Sequence, residues 1–218
     1  MTHSNRSLLV TIAGAAGLIA FLAPANGGIV TFGGSVVVAD PPANIGLGKW
    51  SSDTNANLWF ERQTTLASAL HVDALNTGTV IQGAILGTPG NIAASSQVAS
   101  YMLRTDTAST GGVLFAGFIT FDRPILGVIF LKSTMEDSDA PLSRAGVSYN
   151  HNSDRGLEVH QNPLYDALSV SADRMRIDFS FDTFSGSDDV RIITAVPVPA
   201  TGLVMAIGAP LAARRRRS

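Results

Sequence analysis

Met175-Arg176-Ile177-Asp178-Phe179-Ser180-Phe181-Asp182 alternates apolar and polar side chains along its whole length. Successive side chains of an extended chain point to opposite faces, so the stretch reads as a β-strand. Met175, Ile177, Phe179 and Phe181 face a core, while Arg176, Asp178, Ser180 and Asp182 face water. No segment of the middle of the chain sustains the i, i+3, i+4, i+7 spacing of an amphipathic helix. Working outward, short apolar runs recur at Ile29 to Phe32, Val36 to Val38, Leu66 to Val72, Thr79 to Ile85, Val98 to Arg104, Leu157 to His160, Ala167 to Val170 and Val190 to Thr194. Clusters of Gly, Asn, Asp, Ser and Pro separate them.

Two longer runs, Val113 to Phe121 and Ile125 to Leu131, flank Asp122-Arg123-Pro124. They predict a central hairpin, with the second strand apolar on both faces and therefore in the middle of a covered sheet. The stretch from Pro41 to Asn57 is turn-rich and reads as a surface connection, with Trp50 and Trp59 near its end. Gly156 is expected to break a loop, and Arg191 to pair with an acidic neighbour. Short strands joined by polar turns predict a mainly β protein, a single antiparallel β-sandwich or jelly-roll-like domain. No internal repeat of a solenoid or propeller is evident.

The two ends of the 218-residue chain read differently from this body. Polar residues 1–7 carry one positive side chain, Arg6, and an uninterrupted apolar or small run follows from Leu8 to Leu22, then Ala23-Pro24-Ala25. That is the three-part pattern of a signal peptide, with the small residues Ala23 and Ala25 setting cleavage after Ala25. At the other end, Val196-Pro197-Val198-Pro199-Ala200 precedes an apolar stretch from Thr201 to Ala213 and then Arg214, Arg215, Arg216 and Arg217. The prolines favour an extended, exposed segment. As a helix, the apolar stretch would reach about 20 Å, short of a bilayer core, and the arginines would snorkel to anionic headgroups on the cytoplasmic side. The expected division is a signal peptide over 1–25, a β-sandwich body over 26–195 and a sorting and membrane-tethering segment over 196–218.

Proline-x-proline, a short apolar helix and a terminal arginine run together resemble the PEP-CTERM sorting signal of Gram-negative bacteria. In this chain Val198 stands where that signal usually has glutamate. The resemblance covers about the last two dozen residues and implies processing by an exosortase-like enzyme, with delivery to the cell surface or extracellular matrix. Residues 121–129, 155–158 and 190–194 are similar to stretches in exported proteins that carry such tails, and no activity attaches to that group.

Charge narrows the partners. Setting aside Arg6 and the four terminal arginines leaves 10 basic residues against 17 acidic ones, a net charge of about −7 on the body. A nucleic-acid binder needs a basic face to displace counterions, so nucleic acid is not an expected partner; cations and neutral glycans are compatible. The chain has no cysteine, which rules out disulfides, thiolate metal sites and a cysteine nucleophile.

For chemistry, the long polar connection from Ser133 to Arg155 is the richest region. Within it, Asn150, Asn152 and Asp154 alternate like the start of a calcium loop, and Asp137 and Asp139 add charge, so these five form a candidate calcium set. Arg155 and Gln161 stand where such a loop needs glycine and glutamate, and no other cofactor is expected. Trp50, Trp59 and Tyr149, with Phe60 and Tyr165, are the side chains able to stack on sugar rings if exposed. No nucleophile elbow, zinc-protease helix, phosphate loop or dinucleotide fingerprint is found, and catalytic residues are not assigned. Glu158 with Asp166 is one carboxylate pair that glycoside hydrolysis could use.

The expected function is therefore that of an exported, non-enzymatic surface or matrix protein. Its partners would be the export machinery, a signal peptidase, an exosortase-like enzyme, the membrane and extracellular polysaccharide. A carbohydrate-binding or calcium-assisted adhesion module is the alternative, and a secreted glycan hydrolase a weaker one.

Overall fold

The computed structural model describes residues 28–82, 85–153, 155–159, 166–184 and 186–196. Ala23, Ala25, Pro197, Pro199 and the arginines at 214–217 lie outside these residues, as do Asp154, His160 and Tyr165. In chain order the elements are β1 (Ile29–Gly34), β2 (Val36–Val38), β3 (Ala56–Thr65), β4 (Leu70–Val72), β5 (Gly78–Gln82), β6 (Ile85–Leu86), β7 (Gly90–Ile92), β8 (Gln97–Asp106), β9 (Val113–Phe121) and β10 (Ile125–Ile129). There follow α1 (Lys132–Asp137), α2 (Asp139–Leu142), β11 (Ala167–Val170), β12 (Arg176–Thr183) and β13 (Ser187–Ala195). The protein is mainly β, and its sheets are antiparallel except where β2 runs parallel to β3.

One sheet has the order β1-β9-β12-β11-β5-β6 and a second β10-β13-β8-β3-β2, while β4 and β7 make a separate two-stranded ribbon. The alternation in β12 does what the sequence requires. Ile177, Phe179 and Phe181 are buried, and Arg176, Asp178, Ser180 and Asp182 remain half-exposed. These phenylalanines join Phe115, Ile119 and Phe121 of β9, Tyr101 and Leu103 of β8, and Val190 and Ile192 of β13 in one core shared by both sheets. Each large apolar side chain enclosed there contributes about 1.5–3 kcal/mol.

The second sheet is covered on its other face too. Trp59, Met102, Ile129 and Ile193 pack into a second core with Met135 of α1, Leu142 of α2 and Leu70, Val72 and Ile92 of the ribbon. This explains why β13 is buried from Ser187 to Thr194 without alternation.

The structure corrects three sequence expectations. The runs around Asp122-Arg123-Pro124 do not form a hairpin: β9 pairs with β1 and β12, and β10 pairs with β13 in the other sheet. The amides of Phe121 and Ile125 donate instead to the carbonyls of Met175 and Arg174, so the turn carries the chain from one sheet to the other. Consequently β10 lies at the rim of its sheet, where Val128 bridges to Ala74, and not in the middle. The longest stretch missed is β3, whose first half, Ala56 to Trp59, is buried at every residue and so lacks a period of two. Residues 157–159, expected as a strand, are not one.

A bulge in β3 falls between Phe60 and Arg62 and places Glu61 opposite no partner in β8. Bulges re-aim side chains, and this one delivers the Glu61 carboxylate to Arg191 of β13. Arg191 Nε donates to Glu61 Oε2 at 2.8 Å and Nη2 to Oε1 at 2.9 Å; Nη2 also donates to Asp139 Oδ1 at 2.9 Å. Nη1 donates to the Met135 carbonyl at 3.1 Å and to Ser138 Oγ at 2.5 Å. All five N–H donors of the guanidinium are thus used, with none of the side chain exposed. Ser100 Oγ donates to Glu61 at 2.5 Å, and Arg155 grips both oxygens of Asp139 at 2.6 Å.

Removing one member of a buried ion pair strands the other, at about 3–5 kcal/mol. Arg191→Met is expected to lower the midpoint of thermal unfolding by about 10 °C. Arg191→Lys, with three donors for five acceptor positions, should recover only a minor part of that loss. Circular dichroism melts of the two variants check this; a melt of Arg191→Met matching the parent would mean that the network contributes nothing net.

Candidate functional site

The core between the sheets turns polar at one end, and the strand alternation shows why. In β13, Val190 and Ile192 face the shared core, so Asp188 lies on the same inner face. In β11, Leu168 and Val170 are inward, and Asp166 precedes them with the same parity. Thr105 follows Tyr101 and Leu103 along β8, and Thr183 follows Phe179 and Phe181 along β12. Four inward positions that elsewhere hold aliphatic or aromatic groups therefore hold two carboxylates and two hydroxyls.

Thr105 Oγ1 lies 2.6 Å from Thr183 Oγ1 and 3.2 Å from Asp188 Oδ2, and Thr183 Oγ1 also donates to that same oxygen. Asp166 accepts the Asp182 backbone N–H at 3.2 Å on Oδ1, while its buried Oδ2 has no hydrogen-bond partner among the described residues. Glu158 reaches in from the connection after Arg155, and its carboxylate, that of Asp166 and that of Asp188 each place an oxygen within 4.8 Å of the others. Glu158 is exposed; Asp166 and Asp188 are each only 4% exposed.

The connection is held from behind. Gly156 has φ +100°, a conformation that favours glycine, and an added Cβ would stand 2.5 Å from the Phe130 carbonyl oxygen. The Gly156 carbonyl accepts the Asp189 N–H at 3.2 Å. A few residues therefore separate Arg155, committed to Asp139, from Glu158, committed to the carboxylate group.

Burial pushes the Asp166 carboxyl up to about 7, with the negative charge of Glu158 adding to the shift. Burial likewise raises Asp188 well above the usual carboxylate range, with Asp166 and Glu158 repelling its charged form and the two threonine hydroxyls opposing the rise. Three carboxylates this close do one of two things: they retain protons or they share a cation.

The sequence-based candidates are placed elsewhere. Asp139 has both oxygens engaged by Arg155 and Arg191, which hold its carboxyl low against the opposing effect of burial. Asp137 is exposed on α1, Asn150 is buried with its Oδ1 accepting the Asn152 N–H, and Asn152 is exposed. Among the described residues Asp137 and Asp139 belong to no group of three converging carboxylates; the one such group is that of Glu158, Asp166 and Asp188. Trp59 is 1% exposed and packs in the second core, with Trp50 half-buried and tilted against it at 5.4 Å between ring centres. Tyr149 is buried beside the Arg155 and Arg191 guanidinium groups, and its hydroxyl accepts the Arg144 N–H at 3.0 Å. Neither Trp59 nor Tyr149 offers an open ring face to a sugar.

Of the carboxylate group, Glu158 and Asp166 are paired in the sequence reading, and Asp188 and the threonines are not. The signal for Asp188 was parity: it is the acidic residue two positions before Val190 and four before Ile192. Comparison with known proteins gives no matching family model, no similar curated protein and no similar solved structure.

The raised Asp166 carboxyl has a defined effect on stability. Below pH about 4 it is protonated in both folded and unfolded chains; between about 4 and 7 the unfolded chain releases the proton and the folded one keeps it. Stability contributed by this group therefore falls as pH rises through that window and is constant above it. Urea unfolding in chelator across the window should show Asp166→Asn gaining on the parent protein as pH rises. Parallel curves for the two proteins would remove the shift. Groups with the opposite trend, such as Asp139, are common to both and cancel.

Proposed function

We propose that the chain is an exported, non-enzymatic protein of the cell surface or extracellular matrix. Its body, on this reading, is a β-sandwich delivered by the N-terminal signal and sorted by the PEP-CTERM-like tail. The observation that carries the reading is where the strands fall between the two expected processing points. β1 starts at Ile29, just after the expected cleavage at Ala25, and β13 ends at Ala195, just before Pro197. Cleavage at both points would leave every described strand whole. Among the described residues no helix is long and apolar enough to cross a membrane, so tethering would fall to the tail beyond Val196.

A second reading, glycan binding, is favoured by one feature. A concavity of about 440 Å³ is lined by Val38, Ala39, Asp40, Phe60, Glu61 and Arg144, among others, and combines a half-buried aromatic ring with the Asp40–Arg144 ion pair at 2.9 Å. Glycan arrays on the parent protein and on Arg144→Ala would separate the two readings: binding lost in the variant favours the module.

Mass spectrometry of the mature protein from its host is expected to show a new N-terminus at Asn26 and a new C-terminus near Pro199. A version lacking residues 196–218 should no longer be retained at the envelope. Intact ends together with unchanged localisation would overturn the sorting reading.

A further inference from the structure

We propose that Glu158, Asp166 and Asp188 bind one hard divalent cation, calcium, at the polar end of the core between the sheets. The three carboxylate oxygens lie within 4.8 Å of one another, twice a calcium–oxygen distance of about 2.4 Å, so they are close enough to share one ion. The donor set is all oxygen, with no histidine among the described residues of the group and no cysteine in the chain, which suits a hard cation over zinc or copper.

A second observation, independent of the crowding, points the same way. Asp166 is 4% exposed, yet among the described residues its Oδ2 has no hydrogen-bond partner. A buried carboxylate oxygen left so has lost its water without replacement, and a bound cation removes that penalty directly. Asp188 is prepared differently: Thr105 and Thr183 both hydrogen-bond its Oδ2, which fixes the carboxylate plane before any ion arrives. The exposed Glu158 leaves the group open to solvent on one side, as an ion that keeps some of its water requires.

The site is distinct from the Asn150, Asn152 and Asp154 pattern and stands apart from the export reading. Its three ligands come from separate stretches: the connection following Gly156, the lead into β11 of one sheet, and β13 of the other. A cation there would cross-link both sheets and the covering connection.

The test uses the full-length chain stripped with chelator, at pH about 7.5, by thermal unfolding and isothermal titration with calcium chloride. Saturating calcium is expected to raise the melting midpoint by about 5 °C or more. Asp166→Asn should melt higher than the parent in chelator, because charge repulsion is relieved, and should lose the calcium-induced shift. Glu158→Gln, at an exposed position, should bind calcium about tenfold or more weakly. Absence of any calcium effect on the parent protein would overturn the proposal and leave a proton-sharing carboxyl group. A full-sized shift that survives in both variants would overturn it equally, placing the ion elsewhere.

Discussion

A guanidinium with no access to water must find a partner for every N–H, and Arg191 imposes that demand on the second sheet. Its five donors are met by a carboxylate from bulged β3, beyond β8 in the sheet, a backbone carbonyl and a hydroxyl at the end of α1, and a carboxylate on α2. None of those groups is free to move without stranding another. Glu61 is held in turn by Ser100, and Asp139 by Arg155. The covering layer is thus fastened to the sheet by a polar lock as well as by the apolar packing of Trp59, Met102 and Met135. Such a lock adds specificity of docking more than net stability, because desolvating the charges offsets much of their attraction.

Arg104 repeats the arrangement less completely. It reaches Asp189 and Asp106 from the same face of the sheet, while its buried Nε has no partner among the described residues. The carboxylate group between the sheets differs from both, since it gathers negative charge and brings hydroxyls to it in place of an arginine. Charge in this molecule is therefore divided by face. The outer side of the second sheet is balanced by arginines, and the polar end of the inner core is not.

What could be read beforehand follows from how local the signal was. β12, β11 and β2 were legible, β11 and β2 to the residue, because one face of each alternates cleanly or the run is bounded by turn residues. β3 was not, since burial on both faces at Ala56 to Trp59 and the bulge at Glu61 erase the period that identifies a strand. The Asp122-Arg123-Pro124 turn was visible, but a turn specifies that the chain reverses and not which sheet receives it. Arg191 was expected to need an acid, and which one depends on a bulge 130 positions away in sequence. For the carboxylate group, two members could be named as a pair by residue type alone. The third required knowing that β13 and β11 present the same parity to one core, which only the pairing of sheets supplies. For Asn150, Asn152 and Asp154, alternate oxygens in sequence converge only where a loop curls around a centre; Asn150 is buried, Asn152 is exposed, and Asp154 lies outside the described residues.

The position of β13 carries a mechanical meaning. It is the last described strand, it leads into the tail, and it is hydrogen-bonded along its length to β8 on one side and over most of β10 on the other. β1, at the opposite end of the described chain, is a rim strand zipped to β9 alone. If the molecule is held by its C-terminal segment, a pull on that tether enters through two ladders loaded lengthwise together, whose bonds must yield collectively. The same pull at the N-terminal side would meet one ladder that can open a bond at a time. A chain fastened by its tail in moving fluid would thus take the strain through a strand braced on both sides.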